Sequence, residues 1–266
     1  KGCFEKGMDV NEGPAKYNYS GIHVTGFADV VDSLAAIEWA VFRSQEITLQ
    51  DLRNALKKNF RGRDRLLTYL IHKCPKYGTD DERADKYAKI VGNLLSESVQ
   101  GLKSARGGDY RIGIHAMTTH VGFGFNTGAL PSGRKKRAPL TKDVAPSNTG
   151  EKGLTAAINS ATKLPHQLIS NGLACTLNIA PVIATMENGA ILEALLKSYF
   201  EKGGLHIQFN AINPEMLLDA QESPEEYGSL MVRVSGYSAR FVDLPRSVQD
   251  EIIESYLYDQ LELKTS

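Results

Sequence analysis

Residues 231–244 alternate apolar and polar side chains as a β-strand does, yet Gly236 stands in the middle of the run, where a strand gains from a side chain. Periodicity alone reads this as a strand with a β-bulge or a close backbone approach at the glycine. Arg233 and Arg240 flank it at a spacing that suits paired salt bridges.

The rest of the chain alternates helix and strand signals. From residue 26 to about 97 the pattern is helical and core-facing: Val30, Val31, Leu34, Ile37 and Val41 recur at spacings of three and four, as do Leu52, Leu56 and Phe60. A turn over residues 75–82 places Asp80 or Asp81 to cap the helix that runs towards Leu95. Short strand-like runs follow at 110–117 and 175–179, separated by loops rich in Gly, Pro, Ser and Asn. A helix is expected over 186–200, with Ile191, Leu192, Leu195, Leu196 and Tyr199 as its apolar stripe, stopped by Gly203 and Gly204. Leu205, Ile207 and Phe209 then alternate with His206, Gln208 and Asn210 as a strand, and Pro214 opens a helix carrying Met216, Leu217 and Leu218. Strand followed by helix is the grammar of barrel and layered α/β folds.

Composition narrows the function. At about 150 residues per domain, 266 residues make one large domain or two ordinary ones. Hydrophobic residues at 42% and charged residues at 23% exclude disorder. Thirty-one basic residues balance 31 acidic ones, so the total charge gives no reason to expect nucleic acid or an anionic membrane. The cluster Arg134, Lys135, Lys136 and Arg137 reads as a solvated loop. No apolar run approaches the roughly 20 residues of a membrane span, and no signal peptide opens the chain. Cys3, Cys74 and Cys175 are odd in number and widely spaced, which suits a reducing, cytoplasmic setting and neither disulfides nor zinc. Gly122-Phe123-Gly124-Phe125-Asn126-Thr127-Gly128 lacks the spacing of a dinucleotide loop. The chain opens without a Met, and we expect it to be a piece of something longer.

Two motifs at opposite ends then belong together. Arg233-Val234-Ser235-Gly236-Tyr237-Ser238-Ala239-Arg240-Phe241 closely resembles the C-terminal signature of glycyl radical enzymes, and Gly2-Cys3-Phe4-Glu5 is similar to that family's Gly-Cys-x-Glu cysteine loop. Further similarity lies at residues 31–37, 75–81, 127–134, 203–206 and 213–219, so the resemblance spans the chain.

The resemblance implies an α/β fold: the C-terminal part of a ten-stranded β/α barrel, helices outside, cysteine loop and glycine loop inside. Residues 1–135 would hold the cysteine loop with barrel helices and strands, and residues 136–266 the glycyl radical domain. It implies a radical on Gly236, installed by a radical S-adenosylmethionine activating enzyme, with no cofactor or metal bound. Without a Cβ, a glycine Cα can flatten and share its unpaired electron between the amide nitrogen and the carbonyl. Cys3 would pass its sulfur-bound hydrogen to that radical, and Glu5 would take a proton from the substrate. The Gly-Cys-x-Glu pattern marks the dehydratase, lyase and decarboxylase branch, cleaving C–O, C–N, C–S or C–C bonds of small molecules. Acyl transfer of the pyruvate formate-lyase type is second, because that branch carries two adjacent cysteines. A non-catalytic subunit lending a glycyl radical to a partner is the third reading.

His23 is a candidate substrate-binding group, although a histidine between Ile22 and Val24 reads more simply as a hydrogen-bonded structural residue. His72, His115, His120, His166 and His206 read as structural. The expected partners are a small-molecule substrate, the activase and an N-terminal half of the barrel on the same or another chain, in a homo- or hetero-oligomer.

Overall fold

The computed structural model describes residues 1–116, 118–146, 152–185, 187, 189–234 and 236–263, with side chains to residue 254. Four short strands form an arc: β1 (Ser20–Val24), β2 (Tyr110–Ile114), β3 (Thr176–Asn178) and β4 (Gln208–Asn210). β1 pairs with β2 and β3 with β4, all parallel, with Ile22 opposite Ile112 and Leu177 opposite Phe209. A parallel bridge between Ile114 and Leu173 joins the two pairs. There the Ile114 N–H donates to the Gly172 carbonyl at 3.0 Å and the Ala174 N–H to the Ile114 carbonyl at 3.1 Å. Spatial order therefore follows chain order, with a helical crossover between successive parallel strands.

Alternation along the strands separates two faces. Ile112, Ile114, Leu173, Cys175 and Leu177 point into one core, joined by Ile207 and Phe209. That core is closed by α2 (Phe27–Ile37), α5 (Glu82–Ser98), α7 (Gly153–Ala161) and α8 (Gly189–Glu201) through Phe27, Val31, Ala88, Ile158 and Tyr199. A second core joins the α2 end to α3 (Leu49–Lys57) and α4 (Asp64–His72) around Ala40, Leu52, Phe60 and Leu70. Residues 38–43 between them form a π-helical turn.

A third core builds the C-terminal unit. Leu217 of α9 (Pro214–Glu222), Val232 of β5 (Met231–Arg233) and Phe241 after β6 (Ser238–Arg240) meet Val248 and Ile252 of α10 (Arg246–Leu263). α10 also anchors to the barrel body. Glu251 is 3.4 Å from His120 on α6 (Thr119–Phe125) and 3.7 Å from Lys142. Burial opposes the charged carboxylate, but Lys142 and His120 hold its pKa down at about 2.

Several expectations change. The stripe of α2 is rotated: Phe27, Ala28, Val31, Ala35 and Ala36 are buried, and Val30 faces solvent. The strand expected over 110–117 ends at Ile114, and Met117 lies outside the described residues. The helix expected from 186 begins at Gly189, with Ile191 exposed, and Met186 is also outside the described residues. Met216 and Leu218 of α9 are exposed and only Leu217 is fully buried. The basic loop is not simply solvated. Arg134 is half-buried and donates to the carbonyls of Pro139, Gly128, Gly124 and Ala138, which fastens the loop over 124–139. Asp81, not Asp80, caps α5, accepting from the Arg83 N–H at 3.0 Å. Among the described residues no helix is long and apolar enough to cross a membrane.

Asp85 of α5 gives a stability prediction. It is 1% exposed; one carboxyl oxygen accepts the Ser160 hydroxyl at 2.9 Å and the other has no hydrogen-bond partner. Burial pushes its pKa up to about 7, against the lowering effect of Ser160 and Lys163. A carboxyl raised in the folded state contributes most when protonated, and that contribution is lost as pH rises from about 4 through about 7. Asp85→Asn is therefore expected to melt above the natural chain at about pH 8, with the gap closing towards about pH 5. Thermal unfolding followed by circular dichroism checks this, and a gap that does not change with pH refutes it.

Candidate active site

The N-terminal loop is two capped turns. Cys3 opens α1 (Cys3–Lys6), whose first amide, that of Gly2, donates to the Glu5 carboxylate. The next turn repeats the device, the Asp9 N–H donating to Glu12 at 2.7 Å. Gly2 has φ 105°, and a Cβ there would stand 2.2 Å from the Pro14 carbonyl oxygen, so only glycine fits before the cysteine. The Lys16 N–H donates to the Lys1 carbonyl at 3.0 Å and closes the loop. Cys3 is half-buried, while Phe4 and Glu5 are exposed. Glu5 thus has a capping role that the sequence reading missed, although Gly2-x-x-Glu5 has capping-box spacing. Its carboxylate is held on the same short helix as the thiol. Asn18 ties the loop to the region before β2, donating to the Arg106 carbonyl at 2.6 Å.

Gly236 is not within a strand. β5 and β6 are the arms of an antiparallel hairpin, with Met231 opposite Arg240 and Arg233 opposite Ser238. Gly236 sits in the turn, where the Val234 N–H donates to the Tyr237 carbonyl at 2.9 Å. Its φ is +84°, the left-handed region that favours glycine, and an added Cβ would meet nothing within 4 Å. The glycine is needed for the turn, not for a close approach. The hairpin is hooked to β4 through Asn210, which donates to the Arg233 carbonyl and accepts from the Arg233 N–H, both at 2.9 Å. Arg233 itself donates to Gln208 at 2.6 Å and to Ser238 at 3.2 Å, and no carboxylate pairs with it among the described residues. Arg240 pairs within its own arm, with Asp243 at 2.7 Å. The expected paired salt bridges are therefore reduced to one.

Among the described residues no hydrogen bond joins the cysteine loop to the glycine hairpin; each is fixed to a different part of the strand arc. The ring of His23, on β1, makes no hydrogen bond among the described residues. Its ring stands 4.1 Å from that of His115, centroid to centroid, tilted by 51°. His166 is structural, bonded to the Ala161 carbonyl at 2.8 Å. A cavity of about 460 Å³ opens between α2, the loop over 132–146 and α10, lined by Asp29, Lys76, Arg134, Lys142, Thr176 and Glu251. Cys3, Glu5 and Gly236 do not line it. The other two thiols are inert: burial pushes Cys74 up to about 11 and Cys175 well above the ordinary thiol range. Among the described residues no group of three His, Cys, Asp or Glu is arranged to hold a metal ion.

Residues 1–124 match the pyruvate formate lyase-like family model and residues 140–242 the glycine radical model. The chain is 38% identical to trans-4-hydroxy-L-proline dehydratase of Clostridioides difficile, covering 94% of this chain and 32% of that enzyme. It is 34% identical to (2S)-3-sulfopropanediol dehydratase of Klebsiella oxytoca, covering 95% of this chain and 31% of that one. The solved glycerol-bound form of the B12-independent glycerol dehydratase from Clostridium butyricum superposes with a TM-score of 0.91 at 38% identity, covering 95% of this chain and 32% of that chain. The arc is thus part of a barrel-type α/β fold, and the chain spans about a third of the length of these relatives.

Proposed function

Since this chain belongs to the glycyl radical enzyme family, we propose that it carries the radical-bearing part of a lyase that cleaves a C–O, C–N, C–S or C–C bond of a small organic substrate. The observation that carries the reading is Gly236 at the tip of an exposed turn, its Cα uncrowded, with Gly2-Cys3-Phe4-Glu5 intact at the other end of the chain.

The steps are those that the family resemblance implies for these residues. A radical S-adenosylmethionine activating enzyme takes one Cα hydrogen atom from Gly236, leaving an unpaired electron spread over the flanking peptide groups. The Cys3 S–H gives its hydrogen atom to that Cα, so the glycine is restored and the sulfur becomes a thiyl radical. The thiyl removes a hydrogen atom from a substrate carbon bearing a hydroxyl or ammonium group. Glu5 accepts the proton of that group and passes it to the neighbouring leaving group as the ketyl-like radical expels it, so the carboxylate is restored. The product radical takes a hydrogen atom back from Cys3, which regains its own from Gly236. No electron is gained or lost over the cycle. The setting is an anaerobic cytoplasm, with the remainder of the barrel supplied by the same or another polypeptide. Residues 1–135 would hold the cysteine loop and residues 136–266 the radical domain.

Glu5→Gln separates the roles. The radical on Gly236 is expected to form as in the natural protein, while elimination falls by about 10²- to 10⁴-fold, the usual worth of a positioned base. Product assays beside spin counting check this, and unimpaired elimination would remove Glu5 from the mechanism. Release of an acyl-coenzyme A product would move the protein to the acyl-transfer reading. Formation of the radical with Cys3 dispensable would leave a radical-lending subunit.

A further inference from the structure

The face of the strand arc that carries no helices has a consistent chemistry. Opposite the core-facing Ile112, Ile114 and Leu177, the alternate positions of β1 to β4 hold glycine, His23, Arg111, Thr176, Asn178, Gln208 and Asn210, with no Asp or Glu among them. His115 and His206 continue the same alternation just beyond β2 and just before β4. Two observations place His115 beside His23 on that face. A Cβ at Gly113 would meet both the Asn171 side chain, at 3.0 Å, and the His115 ring, at 3.2 Å. His115 in turn stands 4.1 Å from His23. The His206 Nδ1 is buried without a hydrogen-bond partner, an orphaned polar atom that a ligand would satisfy.

Two carboxylates beside the arc are already engaged. Asp109 holds Lys103 at 2.6 Å and lies 3.8 Å from Arg111, and Asp143 accepts the amides of Ala145 at 2.8 Å and Thr176 at 3.1 Å. Resting on the lyase reading, we propose that His23, His115 and His206 form a subsite for the oxyanion head, carboxylate or sulfonate, of the substrate. Burial first, and then His23 and His206, hold His115 below the ordinary imidazole range, although its hydrogen bond to the Gly172 carbonyl works the other way. A bound anion offsets the repulsion that a protonated His115 meets there and takes up imidazole N–H groups.

The test measures binding to the complete polypeptide before its radical is installed, so that no turnover intrudes. Calorimetry compares three probes with one skeleton and different heads: 3-hydroxypropane-1-sulfonate, 4-hydroxybutanoate and butane-1,4-diol. An advantage of about tenfold for one or both anions over the diol is expected, since charge-assisted hydrogen bonds are the stronger ones. His23→Val is expected to abolish that advantage, weakening the anions far more than the diol; the His23 side chain makes no hydrogen bond among the described residues and a β-branched valine suits the strand, so its loss does not threaten the fold. No preference for either anion, or a preference that survives both His23→Val and His115→Val, overturns the subsite. Activating the His23→Val protein and recording its paramagnetic resonance keeps the two questions apart, because the radical on Gly236 does not depend on these rings.

Discussion

Gly236→Ala is expected to give a folded protein that never acquires an organic radical and has no turnover. Among the described residues an added Cβ meets nothing within 4 Å, so the cost there is the left-handed backbone, φ +84°, about 1 kcal/mol. The chemistry does not survive. A methyl on the Cα crowds the planar geometry in which the electron delocalises, and it leaves only one hydrogen, on one face, for an activating enzyme to approach. Thermal unfolding and spin counting on the same sample check both halves. A radical of normal yield in the Ala variant would move the radical store elsewhere.

Cys3→Ser is the second large effect, and its signature is the reverse. The radical on Gly236 is expected to form and to persist, while product formation drops to background. A serine O–H bond is much stronger than a cysteine S–H bond, so a glycyl radical cannot draw a hydrogen atom from it. The loop itself should be undisturbed, since its architecture depends on Gly2, on the Glu5 cap and on the Lys16 amide rather than on the sulfur. Product assays on the activated variant decide the matter; turnover at the natural rate would exclude Cys3 as the relay.

Much of this was legible in the linear sequence, for local reasons. Helix ends written in backbone chemistry were readable: Asp81, one of the two caps offered, caps α5, Pro214 opens α9, and Gly203 at φ +91° follows the end of α8. The two radical motifs are contiguous stretches, so their residue types survive reading without coordinates. The hairpin around Gly236 was not legible, because residues 231–234 and 237–240 alternate alike whether the arms fold back on each other or run on as one strand. Nor was the partner of Arg233, since Gln208 comes from β4 and nothing in either stretch anticipates the other. Arg134 looked solvated because four like charges in a row usually are, and its carbonyl partners appear only once the loop closes around it. The same holds for the histidines. His23 stands on β1, His115 just beyond β2 and His206 just before β4, far apart in the chain, and the first two meet only once the arc has formed. Sequence reasoning took each alone, offering His23 as a substrate-binding candidate and reading His115 and His206 as structural.

The most direct measurement is electron paramagnetic resonance on the complete polypeptide, activated without oxygen by a radical S-adenosylmethionine enzyme and reductant. A glycyl radical keeps one α-hydrogen, whose spin splits the line in two, so a doublet is predicted. In protein grown on α-deuterated glycine the doublet should collapse towards a single line. Exposure to air should then cut the chain at Gly236. A silent spectrum from demonstrably folded protein, or a signal that the deuterium leaves unchanged, would contradict the assignment of the radical to Gly236.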